Sequence, residues 1–306
     1  MTKVLVATEK PFAGSAVEEI KKIFNDAGYD CAFFEKYKTQ DELIAAVADV
    51  DAMIVRSDKI TPEVIDAAKN LKIVVRAGAG FDNVNLETAT KNDVVVMNTP
   101  GQNSNAVAEL VLGMMVYQAR NHFNGTSGTE LRCKKIGIHA YGNVGKLVAK
   151  IAKGFGMKVF AFDPFVAKEI IEADGVTVVD TVEDLYSTCD YVSLHIPANK
   201  HTINSINYQL LSKMKDGAVL VNTARKEVID ENDMLKIFKE REGFMYLSDI
   251  APGNKDELQE LYPSRCFFTP KKMGAQTSEA NINAGKAAAN QIINFIDKGD
   301  TTFKVN

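Results

Sequence analysis

The chain has 306 residues, which suits two ordinary domains, and its 46% apolar and 25% charged content excludes a disordered, collagen-like or coiled-coil array. Lys plus Arg number 36 and Asp plus Glu 40, an evenly spread net charge of −4, so no nucleic-acid partner is expected, although two or three arginines could hold a small anion. No apolar run is long enough for a membrane span, Val4–Ala7 is too brief for a signal peptide, and Cys31, Cys133, Cys189 and Cys266 form no C-x-x-C pair, so the expectation is a cytoplasmic protein with reduced thiols, no membrane partner and no metal.

The β-branched run Val4–Ala7 reads as a first strand. Val17, Ile20, Ile23 and Phe24 fall at helical spacing, and Gly28 suits a left-handed stop to that helix. Cys31–Phe34 is a second strand, Asp41–Asp49 a helix, and Ala52–Val55 a strand ending at Arg56-Ser57. Thr61 and Pro62 open another helix. Ile73–Val75 and Val94–Met97 are further strands, and an apolar helix of about Asn105–Arg120 follows. The loop Asn121–Gly128, rich in Asn, Gly, Ser and Thr, reads as the best domain seam.

Beyond it the rhythm restarts with strand Ile136–Ile138, helix Lys146–Lys153 and strand Val159–Phe162. Strands at Tyr191–His195, Ala218–Asn222 and Met245–Ser248 come next, and a last helix at about Ser278–Lys298 could return to the first domain. Alternating strands and helices give an α/β fold with two doubly wound parallel sheets.

The sharpest motif is Ala140-Tyr141-Gly142-Asn143-Val144-Gly145 between a strand and a helix, a G-x-G-x-x-G fingerprint with alanine in its first place. Gly142 lets the backbone approach a pyrophosphate, Gly145 lets helix and strand pack closely, and the N–H groups at the helix start, including those of Asn143 and Val144, attract phosphate. Asp163 ends the next strand, where its carboxylate can accept from a ribose diol and would repel a 2′-phosphate, so NAD is expected over NADP. Arg225, in Val221-Asn222-Thr223-Ala224-Arg225 after a strand, can grip a carboxylate with two parallel hydrogen bonds. Thr269-Pro270-Lys271-Lys272 brings a basic pair behind a fixed turn. Arg56-Ser57 and Arg76-Ala77-Gly78 stand at strand ends in the first half, where Gly78 and Gly80 could expose N–H groups as an anion nest.

These segments, with Met97-Asn98-Thr99-Pro100 and Leu194-His195-Ile196-Pro197, occur in one order, and that series resembles the D-2-hydroxyacid dehydrogenases, closest to their D-3-phosphoglycerate dehydrogenase branch. The resemblance implies a flavodoxin-like substrate domain of residues 1–98 and 282–306, and a Rossmann-like domain of residues 99–281 with NAD in the cleft. It implies a homodimer and hydride transfer between C2 of a small anionic, phosphorylated 2-hydroxy acid and NAD, the entry step of phosphorylated serine synthesis. Arg225 and Lys271 are then the catalytic pair. Gly142, Asn143, Val144, Gly145, Asp163, His195, Pro197, Thr223 and Asp249 line the cofactor, Asp249 touching the nicotinamide carboxamide and His195 serving as a structural strand-end residue. Arg56, Ser57, Arg76, Ala77 and Gly78 bind substrate.

Four departures from the family pattern matter. Lys271 stands where the family usually has histidine, Asn254 stands near its partner glutamate, and Lys226-Glu227 replace Gly-Gly. The segment before the glycine strand is short, and no regulatory domain follows residue 306, so serine feedback through one is not expected. An ordinary ammonium is charged at neutral pH, which suits protonating an alkoxide when a 2-oxo acid is reduced. Unlike imidazole it needs no carboxylate to fix a tautomer, so the lysine and the lost glutamate form a coherent pair. Asp256 or Glu257 is the substitute carboxylate to look for. The alternatives are a glyoxylate or hydroxypyruvate reductase, or a non-catalytic NAD(H)-binding module.

Overall fold

The computed structural model describes all 306 residues, and the chain divides into two compact units. The first combines Met1–Asn103 with Gln276–Asn306, and the second is Ser104–Ala275.

In the first unit, β1 (Lys3–Thr8), β2 (Asp30–Glu35), β3 (Ala52–Val55), β4 (Ile73–Arg76) and β5 (Val95–Asn98) form a parallel sheet in the order β2-β1-β3-β4-β5. That is the flavodoxin-like order. Strands covered on both faces read as unbroken apolar runs, and β3 is buried at all four positions. The pleat splits each run between two cores. Val4, Val6, Ala52, Ile54, Ile73 and Val75 meet Ile20 and Phe24 of the Gly14–Asp26 helix and Ala284, Ala288 and Ile292 of the Ser278–Lys298 helix. Leu5, Ala7, Met53, Val55 and Val74 face Leu43, Val64, Ile65 and Ala89. Burying a side chain such as Ile20 or Phe24 contributes about 1.5–3 kcal/mol before the entropy of ordering it is counted. Gly28 takes φ +74 and Tyr29 N–H donates to the Phe24 carbonyl, so the first helix stops where its glycine foretold.

The second unit carries β6 (Lys135–His139), β7 (Lys158–Phe162), β8 (Thr177–Val178), β9 (Tyr191–Leu194), β10 (Val219–Asn222), β11 (Met245–Ser248) and β12 (Cys266–Phe268). All are parallel, in the order β12-β11-β10-β9-β6-β7-β8. The winding reverses between β6 and β9, the Rossmann arrangement, and ligands collect beyond the carboxyl ends of strands at such a reversal.

The Asn121–Gly128 loop is not the seam. It lies inside the second unit, because Val111, Leu112 and Met115 of the Ser104–Ala119 helix share a core with Ile136, Ile138, Val148 and Ala152. Its composition marks a tight turn: Thr129 N–H donates to the Ala119 carbonyl at 2.7 Å, and a Cβ on Gly128 would lie 2.2 Å from that oxygen. No helix is long and apolar enough to cross a membrane.

Candidate active site

The glycine-rich turn leaves β6 and enters the Asn143–Gly154 helix, which starts three residues earlier than the apolar spacing suggested because Gly142 is its N-cap. Ala140, where the fingerprint has its first glycine, takes φ +80. A non-glycine residue there costs about 1–2 kcal/mol, and the surrounding bonds hold it in place. Ala140 N–H donates to the Phe162 carbonyl, and Tyr141 N–H donates to Asp163 Oδ2 at 2.7 Å. A Cβ on Gly145 would fall 2.3 Å from the Ala140 carbonyl oxygen, so only glycine lets helix and strand approach this far. Relief of the Ala140 strain outweighs the entropy of an added glycine, so Ala140→Gly is expected to stabilise the fold by about 0.5–1 kcal/mol in denaturant unfolding. A loss of stability would show that the alanine methyl is needed.

Asp163 accepts from Phe165 N–H through its other oxygen, at 2.8 Å, so the carboxylate is braced by the turn at the end of β7. Each oxygen retains a lone pair for another donor.

At the reversal point His195 N–H donates to the His139 carbonyl, extending the β6–β9 ladder by one step. His195 Nε2 pairs with Ser193 Oγ at 3.0 Å, and His139 Nδ1 lies 3.3 Å from the Tyr186 hydroxyl. Burial pushes the His139 imidazole down to about 4, against a smaller opposing pull from Asp163. Burial, reinforced by His139, pushes His195 down to about 3. Both are neutral at physiological pH, and neither is a proton carrier there. An unfolded histidine titrates near 6.5, so between about pH 6.5 and 4 the unfolded chain binds protons that the native chain refuses, and stability falls as pH drops. His139→Leu is expected to flatten that acid slope, by up to about 3 kcal/mol at its lower end. Melting temperatures across the window test this, and an unchanged slope would count against a neutral His139.

The two basic residues of interest follow β10 and β12, the strands on either side of β11. Arg225 comes after β10, where Asn222 braces its loop: Asn222 Nδ2 donates to the Arg225 carbonyl and Ala224 N–H donates to Asn222 Oδ1, both at 2.9 Å. Arg225 itself donates through Nη1 to the Ala224 carbonyl at 3.0 Å. The Thr223 hydroxyl is buried with no hydrogen-bond partner. Lys271 lies just past β12, exposed, with Asp249 at the root of its loop. Asp249 is 1% exposed and accepts from Met273 N–H and Gly274 N–H, with the Thr269 hydroxyl oxygen 2.9 Å from Oδ1. Pro197 is exposed beyond β9.

Asn254 does not restore the missing carboxylate. It opens the Lys255–Leu261 helix and donates to the Glu231 carbonyl, while Asp256 and Glu257 are exposed in the first turn of that helix. Neither forms an ion pair with Lys271.

In the first unit, Arg56 and Ser57 follow β3, beside the β1–β3 reversal of that sheet. Arg56 Nη1 donates to the carbonyls of Lys10 and Pro11 at 3.1 and 3.0 Å, and Nη2 donates to Asn281 Oδ1. Its guanidinium sits 5.0 Å from the Phe12 ring centroid. Arg56 thus ties the turn after β1 to the terminal helix. Arg76 Nε donates to the Arg56 carbonyl at 2.8 Å. Of the Gly78 and Gly80 N–H groups expected to form a nest, that of Gly78 is already taken. The Ala77 N–H continues the ladder to the Val55 carbonyl and the Gly78 N–H turns back to the Arg76 carbonyl, both at 2.8 Å.

With this geometry in place, residues 106–270, more than half of the chain, match the family model described as D-isomer specific 2-hydroxyacid dehydrogenase, NAD binding domain. The chain belongs to the D-2-hydroxyacid dehydrogenases. A D-3-phosphoglycerate dehydrogenase of Methanocaldococcus jannaschii is 35% identical over 271 residues, 83% of this chain and 51% of the relative. A hydroxypyruvate reductase of Thermotoga maritima is 34% identical over 265 residues, 80% of this chain and 85% of that protein. The chain spans about half the length of the curated D-3-phosphoglycerate dehydrogenases it matches. Among solved structures, the NAD+-bound 3-phosphoglycerate dehydrogenase of Entamoeba histolytica is 46% identical, with a TM-score of 0.90 over 100% of this chain and 98% of that one.

NAD is the cofactor of this domain family, and the residues present fit it. Gly142 is exposed at a helix start that no side chain caps, and a Cβ there would meet nothing within 4 Å, which leaves room for a pyrophosphate against free N–H groups. The unpartnered Thr223 hydroxyl and the braced Asp163 carboxylate supply further polar partners. Asp163→Ala is expected to lower the NAD-over-NADP preference at least about tenfold, read as the ratio of kcat/KM values. Unchanged selectivity would remove the ribose role. Sequence reasoning missed the local Asn222 brace, and also the Asp249 contacts and the His139–His195 step, which join residues distant in the chain.

Proposed function

We propose that the protein is a cytoplasmic, homodimeric, NAD-dependent D-3-phosphoglycerate dehydrogenase. The reaction is hydride transfer between 3-phosphoglycerate or 3-phosphohydroxypyruvate and NAD(H), the entry step of phosphorylated serine synthesis. The observation that carries this reading is the likeness, over the full chain, to an NAD+-bound enzyme of that name, together with basic side chains at the ends of β10 and β12.

NAD, when bound, takes or returns the hydride of C2. The guanidinium of Arg225 grips the substrate carboxylate and polarises the C2 oxygen. The ammonium of Lys271 gives a proton to that oxygen as the oxo acid is reduced. Arg76, steadied on the Arg56 carbonyl, supplies charge for the phosphate, with Ser57, Ala77 and Gly78 as the chain around it. Arg56 contributes by holding that segment in shape. Gly142, Asn143, Val144 and Gly145 seat the pyrophosphate, and His195, Pro197, Thr223 and Asp249 border the nicotinamide half.

The test is NADH oxidation with 3-phosphohydroxypyruvate beside 2-oxoglutarate, pyruvate and hydroxypyruvate. The phosphorylated substrate is expected to give the highest kcat/KM. A hydroxypyruvate reductase is the second reading, supported by the 34% identity of the Thermotoga relative. Turnover of hydroxypyruvate without phosphohydroxypyruvate would select it. Binding of NADH with no turnover of any oxo acid would select a non-catalytic module. Sedimentation of the intact protein tests the dimer.

A further inference from the structure

Asp249 is among the least exposed carboxylates of the chain, at 1%, and its oxygens are engaged by one short loop. Oδ1 accepts Met273 N–H at 2.7 Å, Oδ2 accepts Gly274 N–H at 2.8 Å, and the Thr269 hydroxyl, with one proton to share, stands 2.9 Å from both Oδ1 and the Asp249 carbonyl. These donors bracket Pro270, Lys271 and Lys272, whose side chains are exposed. The Thr269 oxygen also lies 2.8 Å from the Lys271 carbonyl, so the loop folds back on its own root. Gly274 is part of the fit, since a Cβ there would stand 3.0 Å from Asp249 Oδ2 and 3.2 Å from Val107 Cγ2.

We propose that Asp249 is a positioning residue for Lys271: its carboxylate clamps both ends of the Thr269–Gly274 loop and so sets where the ammonium stands. A buried carboxylate stripped of the two backbone donors is costly, and that cost resists any opening of the loop. A long, flexible lysine stem has no tautomer to fix, so the restraint acts on its backbone instead. In this the clamp stands in for the side-chain carboxylate that Asn254 does not provide. The inference rests on Lys271 as the proton donor, but the clamp itself is a property of the loop and can be measured without turnover.

The experiment compares Asp249→Asn, Thr269→Val and Thr269→Ser in the intact protein, with circular dichroism to establish folding. Tryptic cleavage after Lys271 and Lys272 reports the loop, NADH fluorescence titration reports cofactor affinity, and steady-state kinetics separate kcat from KM. Asp249→Asn and Thr269→Val are expected to speed cleavage by about fivefold or more and to lower kcat by about tenfold. In Thr269→Val, which leaves the carboxylate in place, NADH affinity should stay within about threefold. Thr269→Ser keeps the hydroxyl and should cleave at the parent rate. Unchanged cleavage in both disruptive variants overturns the clamp. So does a loss of NADH affinity of more than about tenfold in Asp249→Asn with Thr269→Val silent, because the carboxylate would then serve the nicotinamide carboxamide. Should Asp249→Asn fail to fold, Thr269→Val alone decides. If the parent protein reduces no oxo acid, the proposed function fails while the cleavage and binding results still judge the clamp.

Discussion

Lys271→Ala is expected to lower kcat at least about a hundredfold, the scale of a lost acid or base, while NADH still binds. The physical reason is specific. Reduction of a 2-oxo acid places negative charge on the C2 oxygen, and one positioned ammonium both neutralises that charge and delivers the proton. Neither His139 nor His195 can take over, since both are held neutral and lie at the β6–β9 reversal rather than past β12. Asp256 and Glu257 are exposed on their helix and, as carboxylates, have the wrong sign to stabilise an alkoxide. The measurement is single-turnover NADH oxidation beside an NADH binding isotherm. A variant within about threefold of the parent rate would remove Lys271 from the mechanism and leave Lys272 to be tested.

Arg225→Lys is the second large effect, and it discriminates between charge and shape. The substitution keeps the positive charge but replaces a planar fork with a point charge on a flexible stem. If the role is to hold a carboxylate through two parallel hydrogen bonds, kcat/KM should fall about a hundredfold or more, with loss in both kcat and KM. The loop around it is expected to survive, because Asn222 braces the backbone of residues 224 and 225 and not the guanidinium. Full activity with lysine would show that charge alone suffices there.

The strands were legible as apolar runs, because a parallel sheet covered on both faces needs no alternation, and the fingerprint was legible because strand, turn and helix leave fixed spacings. Three features were not. The Asn121–Gly128 loop has the composition of a linker, yet composition reports backbone freedom and not which core the preceding helix joins. The strand Cys266–Phe268 is too short to carry a pattern, although the apolar triplet ahead of Thr269-Pro270 was its one signal. Arg56 read as an anion-binding residue at a strand end, and its partners Lys10, Pro11 and Asn281 lie far off in sequence. Bonds of that kind follow from the completed fold, and no local window contains them.

The order of the two units along the polypeptide has a consequence for biosynthesis. Residues 104–275 are contiguous, so that unit can close while the ribosome is still translating the remainder. The sheet of the first unit emerges earliest but must wait. Val4, Val6, Ala52, Ile54, Ile73 and Val75 lack the cover of Ala284, Ala288 and Ile292 until the terminal helix has been made. A nascent chain stalled before residue 276 therefore presents a greasy parallel surface to the cell, and premature termination there should yield aggregates instead of a soluble truncated protein.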